Sequence, residues 1–297
     1  MNILLEPLTS PIILRALLAS AMVGVVCAVV GTYVVLRGIA FIGDAIAHAG
    51  FPGVVVAYMT GIPFYVGAAV AAVGTALEIG FVTKRAGIRQ DTAIGVLFAG
   101  TFAFGVFLFS TINGYVVDLF SFLLGNVLAI GPMDLVALLV LGVGVVATVA
   151  LLWKELLYAT FDPLGAAASG IKVDRLEYLF LALVALTIVV SLQAVGIILV
   201  VAMLITPAAT AQLLTVRFVR LMAIAAIVGI ASSVIGLYAS YWLDVASGAT
   251  IVLVQTSMFG LALVFGPRGA LARRRGRRGG APAHGEDGLE ATPGLPA

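Results

Sequence analysis

Charge is scarce in this 297-residue chain, and cysteine nearly absent. Asp, Glu, Lys and Arg together make up 10% of it, against about 25% in a soluble domain. There is one cysteine and there are two histidines. A single Cys27, set inside an apolar run, excludes both a disulfide framework and a thiolate metal site. It reads as a small buried hydrophobe. No H-E-x-x-H occurs, which excludes that zinc-protease pattern. The nearest approach to a phosphate loop is Gly165, four residues and Gly170, but Ile171 follows where lysine is required. If ATP drives any process here, a different chain must hydrolyse it. The N-terminal stretch "MNILLEPLTSPIILR" lacks a basic region and an A-x-A site, so no cleaved signal peptide is expected.

Hydrocarbon is what the chain has in excess. Hydrophobic residues make up 62% of it, and the mean hydropathy is +1.20. Apolar runs are continuous rather than alternating, which speaks against barrel strands. An all-α polytopic membrane protein is predicted, because helices satisfy their own backbone in lipid. With about 20 apolar residues needed per span, the candidates are 12–36, 41–59, 63–83, 92–111, 133–153, 178–192, 195–214, 218–243 and 248–265. That makes nine transmembrane helices, or eight if one is re-entrant. Several are interrupted by Gly or Pro, so broken helices are expected. The stretch "DLFSFLLGNVLAIG" is too short to span and reads as re-entrant or interfacial.

Positive charge orients the chain. With the "KRAGIRQ" loop in the cytoplasm, 15 of the 16 basic residues face inside and only Arg15 faces out. Residues 1–267 form the membrane domain. The tail 268–297 is basic, then Gly/Pro-rich and acidic; it reads as a disordered cytoplasmic segment whose arginines meet anionic lipid. His284 lies in that tail and is read as inert.

Ionisable groups inside a span are costly and are functional candidates by default. "GDAIAHAG" (43–50) holds two of them. Asp44 and His48 are four apart, so on a helix they share a face. A carboxylate and an imidazole so placed suit a divalent transition metal, a proton relay, or a hydrogen bond that stitches helices together. Asp44 also lies early enough to be an N-cap. Pro52 has no N–H and frees the carbonyl of His48, a possible third oxygen ligand. In "IILVVAMLITPAATAQLL" (197–214), Pro207 frees the carbonyl of Met203 in the same way. Such interrupted helices line transport paths, or are kinks tolerated by packing.

The stretch "FDPLGAAASGIKVDRLEY" (161–178) breaks the apolar pattern on the inner side. Asp162 followed by Pro163 is an N-cap and first-turn proline, and Gly170 ends the short helix. A two-turn helix lying on the cytoplasmic face suits docking into a partner's groove, or is a connector. Glu78 sits about 7.5 Å from the inner end of the third span, at 1.5 Å per residue. It lines the inner exit or snorkels. Gln193 is a gate residue or an interhelical hydrogen bond. Asp91 and Thr92 read as caps of the fourth helix; Asp118 and Asp244 read as outer carboxylates.

Five ordered stretches, "FIGDAIAHAGFPGVVVAY", "QDTAIGVLFAGTFAFGVFLFS", "DLFSFLLGNVLAI", "TFDPLGAAASGIKVDRLEYL" and "SLQAVGIILVVAMLITPAATAQLLT", carry a resemblance. Over about residues 10–267 the chain resembles the permease subunit of bacterial ABC importers for manganese, zinc and iron. The manganese branch is the most similar. The resemblance implies a homodimer around a central path, an ATPase pair beneath, and an extracellular or periplasmic metal-binding protein above. It implies that Asp44 and His48 contact the transported ion, and that 161–174, with Asp162, Pro163, Leu164, Gly165 and Gly170, couples to the ATPase. Pro52, Glu78, Gln193, Met203 and Pro207 are the pathway or gating candidates. The expected cargo is Mn²⁺, or else Zn²⁺ or Fe²⁺. No resident cofactor and no nucleic-acid partner are expected, and the setting is the plasma membrane with the C-terminus inside. A proton-coupled carrier and a permease for a metal chelate or cobalamin are the competing readings. An intramembrane aspartyl protease needs a second facing carboxylate, and none sits at matching depth.

Overall fold

The computed structural model describes residues 10–112 and 130–268. The predicted re-entrant stretch, with Asp118, and the tail beyond Arg268 lie outside them. Among the described residues there are helices and no strand. They are α1 (Pro11–Leu36), α2 (Ile42–Ala49), α3 (Phe51–Thr60), α4 (Phe64–Ala86), α5 (Gln90–Ser110), α6 (Pro132–Leu151), α7 (Trp153–Phe161), α8 (Pro163–Ala168), α9 (Val173–Val195), α10 (Ile197–Leu214), α11 (Phe218–Leu243) and α12 (Ser247–Phe265). Counting α2 and α3 as one broken helix, 9 are long and apolar enough to cross a membrane. The all-α polytopic reading holds.

Lipid offers no hydrophobic drive between helices, so close backbone approach must hold them together. Glycines provide it. α1 lies at the centre, against α6, α9, α10 and α11. A Cβ on Gly31 would fall on the carbonyl of Leu204 in α10, and one on Gly24 would lie 3.1 Å from the carbonyl carbon of Gly229 in α11. The second group is α2 and α3 against α4 and α5. There Gly53 and Gly67 cross so tightly that a Cβ on either would meet the other's carbonyl. α4 joins the two groups through α9, with Gly80 beneath Leu181 and Tyr178.

Four expectations are corrected. The sixth span starts at Val173 rather than 178, because Lys84 of α4 neutralises its charged first turns: Nζ is 2.7 Å from Asp174 and 2.9 Å from Glu177. The fifth span ends at Leu151, and the chain turns at Leu152 into the separate amphipathic helix α7. α10 runs through Pro207 without ending, packed on α1, α11 and α12, as a proline tolerated by packing does. The fourth helix begins at Gln90 with Arg89 as N-cap and no side-chain cap bond. Asp91 and Thr92 are therefore first-turn residues rather than caps.

Candidate metal site

α2 presents the pair. Its N-cap is Phe41, with no side-chain cap bond, so Asp44 is not a cap and its carboxylate is not spent on the helix end. One turn on, His48 Nδ1 is 3.4 Å from Asp44 Oδ1 and 3.0 Å from the Asp44 carbonyl oxygen. A proton on Nδ1 donated to that carbonyl leaves the Nε2 lone pair outward, the form that binds a cation. The side chains of His48 and Asp44 are 27% and 48% exposed. An ion can therefore reach both from outside this chain's core.

A neighbouring helix packs on the ring. Phe98 and Phe102 of α5 meet the imidazole edge-on, at 5.5 and 5.6 Å between centroids. These two aromatics were not singled out in the sequence; their only signal is four-residue spacing on one helix. Behind α2, a Cβ on Gly43 would lie 2.9 Å from the Leu204 side chain of α10, so α10 is the wall at the pair's back. After His48 the helix breaks at Gly50, which keeps helical angles (φ −66, ψ −24). α3 then starts at Phe51 with the buried Pro52 in its first turn. Pro52 has no N–H to give the His48 carbonyl. Gly105 of α5 closes on this joint, where a Cβ would lie 3.0 Å from the Pro52 nitrogen.

The other candidates are more scattered. Glu78 is exposed on α4. Met203 is fully buried and Pro207 is buried too, so both belong to the wall and not to the pair's open face. Gln193 lies in the last turn of α9, before the break at Gly196 (φ +81, ψ 167). Among the described residues no three of His, Cys, Asp and Glu gather as a metal site. The described residues of one chain thus bring two such side chains together, fewer ligands than a divalent transition metal takes.

The platform segment forms as expected. Asp162 Oδ1 accepts the N–H of Gly165 at 2.8 Å, and Pro163 opens α8. Gly170, at φ +87, closes it: Gly170 N–H bonds Ala167 O at 3.0 Å and Ile171 N–H bonds Ala166 O at 3.1 Å, the paired bonds of a Schellman cap. The segment exposes more than small residues, for Leu164 is 83% and Phe161 67% exposed. Apolar surface of that kind marks an interaction site.

A sequence profile described as the ABC 3 transport family matches residues 9–266. The chain belongs to the ABC 3 transport family. A manganese transport system membrane protein, MntC, from Halalkalibacterium halodurans is 48% identical over 266 residues, covering 89% of this chain and 91% of that one. A chelated iron transport system membrane protein, YfeD, from Yersinia pestis is 39% identical over 264 residues, covering 89% of each. Among solved structures, PsaBC from Streptococcus pneumoniae in complex with Fab superposes with a TM-score of 0.81 at 34% identity. It covers 92% of this chain and 98% of that one. This ABC 3 permease is therefore a transport component rather than an enzyme, and its polar pair sits in a membrane-spanning helix.

Proposed function

We propose that this chain is the membrane permease of an ATP-driven importer of divalent transition-metal ions, with Mn²⁺ as the cargo. The observation that carries the reading is the Asp44–His48 pair: one carboxylate and one imidazole, one turn apart, half-exposed beside a proline-broken backbone. A hard carboxylate with an imidazole and no thiolate suits Mn²⁺, Fe²⁺ or Zn²⁺ rather than soft ions. The names of the manganese relatives point to the first of these.

Two ligands per chain are too few, and a second copy supplies the other two. α5 supports that arrangement. It holds His48 with Phe98 and Phe102, and it leaves Val96, Phe104 and Phe107 exposed among Gly95, Ala99, Gly100 and Ala103, an apolar surface that a second copy can cover. In the dimer, two pairs face one path. A binding protein delivers the ion from outside, and an ATPase pair docks on 161–174, including Asp162, Leu164 and Gly165. ATP binding and hydrolysis then switch the path between outward and inward access. Coordination by few ligands lets the ion leave as well as enter. The protein sits in the plasma membrane with its C-terminus inside.

The test is uptake by vesicles that contain the permease and its cognate ATPase. Asp44→Ala and His48→Ala each abolish Mn²⁺ uptake while the complex still assembles. Wild-type uptake in both variants refutes the site. Competition among Mn²⁺, Fe²⁺ and Zn²⁺, with a chelated iron as a separate arm, decides the cargo; efficient carriage of the chelate alone would replace the bare ion.

A further inference from the structure

From the sequence Arg37 is only an inner-side charge, yet the structure ties its guanidinium to two other elements, α7 and α9. It is the C-cap of α1. Its Nε donates to Thr160 Oγ1 at 3.1 Å. The Thr160 hydroxyl spends its own proton on the Leu156 carbonyl at 2.6 Å, so its lone pair is committed to Arg37. The guanidinium carbon lies 4.2 Å over the ring of Phe180. Burial lowers the Arg37 pKa from the ordinary arginine value, and the Glu177 carboxylate opposes that. Glu177 is in turn bound to Lys84 of α4.

These partners bracket the platform. Thr160 is two residues before Asp162, where the platform begins; Glu177 and Phe180 lie in α9, which leaves it. A second tie sits one turn up α1, where the Tyr33 hydroxyl donates to the Trp153 carbonyl at 3.4 Å.

On its other side Arg37 leads into the Asp44–His48 pair through a short hydrogen-bonded run. Gly38 (φ +72) makes the turn, with its N–H on Val35 O at 3.1 Å and the Ile39 N–H on Val34 O at 3.2 Å, again a Schellman cap. Ile42 N–H then bonds Ile39 O at 3.0 Å, and Gly43 N–H bonds Ala40 O at 3.3 Å. Asp44 follows directly. A half-buried guanidinium with a cation–π face and a hydrogen bond does not cheaply leave its partners.

We propose that Arg37 is the positioning residue that transmits movement of the platform segment to the Asp44–His48 pair, gripping Thr160 and α9 on one side and carrying α2 through the Gly38 turn on the other. This rests on the reading of the chain as an ATP-driven metal permease. Arg37 does not touch the ion; it sets where Asp44 stands when the platform shifts. Coupling between distant sites needs an element whose position both sites bias, and the bonded run 37–44 is such an element.

The experiment uses the full complex, permease with its cognate ATPase, in sealed proteoliposomes. Mn²⁺ uptake and ATP hydrolysis are measured in the same vesicles, and Mn²⁺ binding to the permease by electron paramagnetic resonance. In Arg37→Gln the ions carried per ATP fall about tenfold, a usual coupling between sites, while Mn²⁺ binding is unchanged. Thr160→Val, nearly isosteric, removes the hydroxyl that accepts from Arg37 and donates within its own helix to the Leu156 carbonyl; it lowers the ratio in the same direction and decides the matter if Arg37→Gln fails to assemble. A merely structural role would lower uptake and hydrolysis together and leave the ratio alone. A wild-type ratio in every variant that assembles overturns the proposal. Wild-type vesicles that hydrolyse ATP without taking up Mn²⁺ would instead overturn the reading on which it rests.

Discussion

Gly53→Ala and Gly67→Ala test the packing that holds the pair's helix in place. A Cβ on Gly53 would lie 2.6 Å from the Gly67 carbonyl carbon and 2.7 Å from the Ala71 Cβ, besides overlapping the Gly67 oxygen. A Cβ on Gly67 would lie 2.8 Å from the Ala57 Cβ and 2.9 Å from the Gly53 carbonyl carbon. Carbon atoms settle at about 3.5–4.0 Å, so α3 and α4 must part by about 1 Å. Overpacking of that size costs about 1–3 kcal/mol. Alanine also gains up to about 1 kcal/mol in helix propensity over glycine, which would mask part of the loss. Gly74→Ala removes that ambiguity, since it lies on the same helix with nothing within 4 Å of its Cβ. The propensity gain is common to both, so the difference between Gly67→Ala and Gly74→Ala isolates the contact. At roughly 2–4 °C per kcal/mol for a chain of this order of size, Gly67→Ala should melt about 2–12 °C below Gly74→Ala. The assay is the monodisperse fraction of detergent-solubilised permease after graded heating. In the double variant the second alanine should cost less than the first, because the helices have already parted. Equal melting of Gly67→Ala and Gly74→Ala would refute the argument.

Four further outcomes follow from the structure. Titration of the purified permease should saturate at one Mn²⁺ per two chains, because each chain offers two ligands; one ion per chain would contradict a shared site. Leu164→Asp, at an 83% exposed position, should leave melting unchanged and sharply reduce co-purification of the ATPase. Asp162→Ala, which removes the 2.8 Å cap bond, should loosen α8 by about 1 kcal/mol and weaken the same association; undiminished co-purification in both would show that the ATPase docks elsewhere. Cys27 is wholly buried, so a maleimide should label it only after unfolding, and rapid labelling of the folded protein would contradict its place in the core.

The spans were legible because a bilayer admits few solutions: a continuous apolar run of the right length has little choice but to be a helix. That Asp44 and His48 share a helix face was legible from their four-residue spacing, and the structure places them one turn apart with Nδ1 3.4 Å from the carboxylate. What escaped was whatever depends on a partner distant in sequence. The charges of Asp174 and Glu177 look like the end of a span until Lys84, far away in the chain, is seen to neutralise them. Pro207 looks like a break until α10 is seen to run on through it, packed among α1, α11 and α12. Arg37 counted as one more inner charge, since nothing local announces Thr160 or Phe180. Phe98 and Phe102 were lost among many phenylalanines, and only the fold aims them at His48.

The elbow at Gly196 has a consequence for sequence change. Its φ of +81 with ψ of 167 lies in a region essentially closed to residues with a side chain. Leu204, which backs Gly43, comes eight residues later along α10, about 12 Å at 1.5 Å per residue. A bulkier residue at that swivel would re-aim the whole rod behind the Asp44–His48 pair, the proposed ion site. Selectivity could then drift through a position that never meets the ion, and a survey confined to the ligands would miss it.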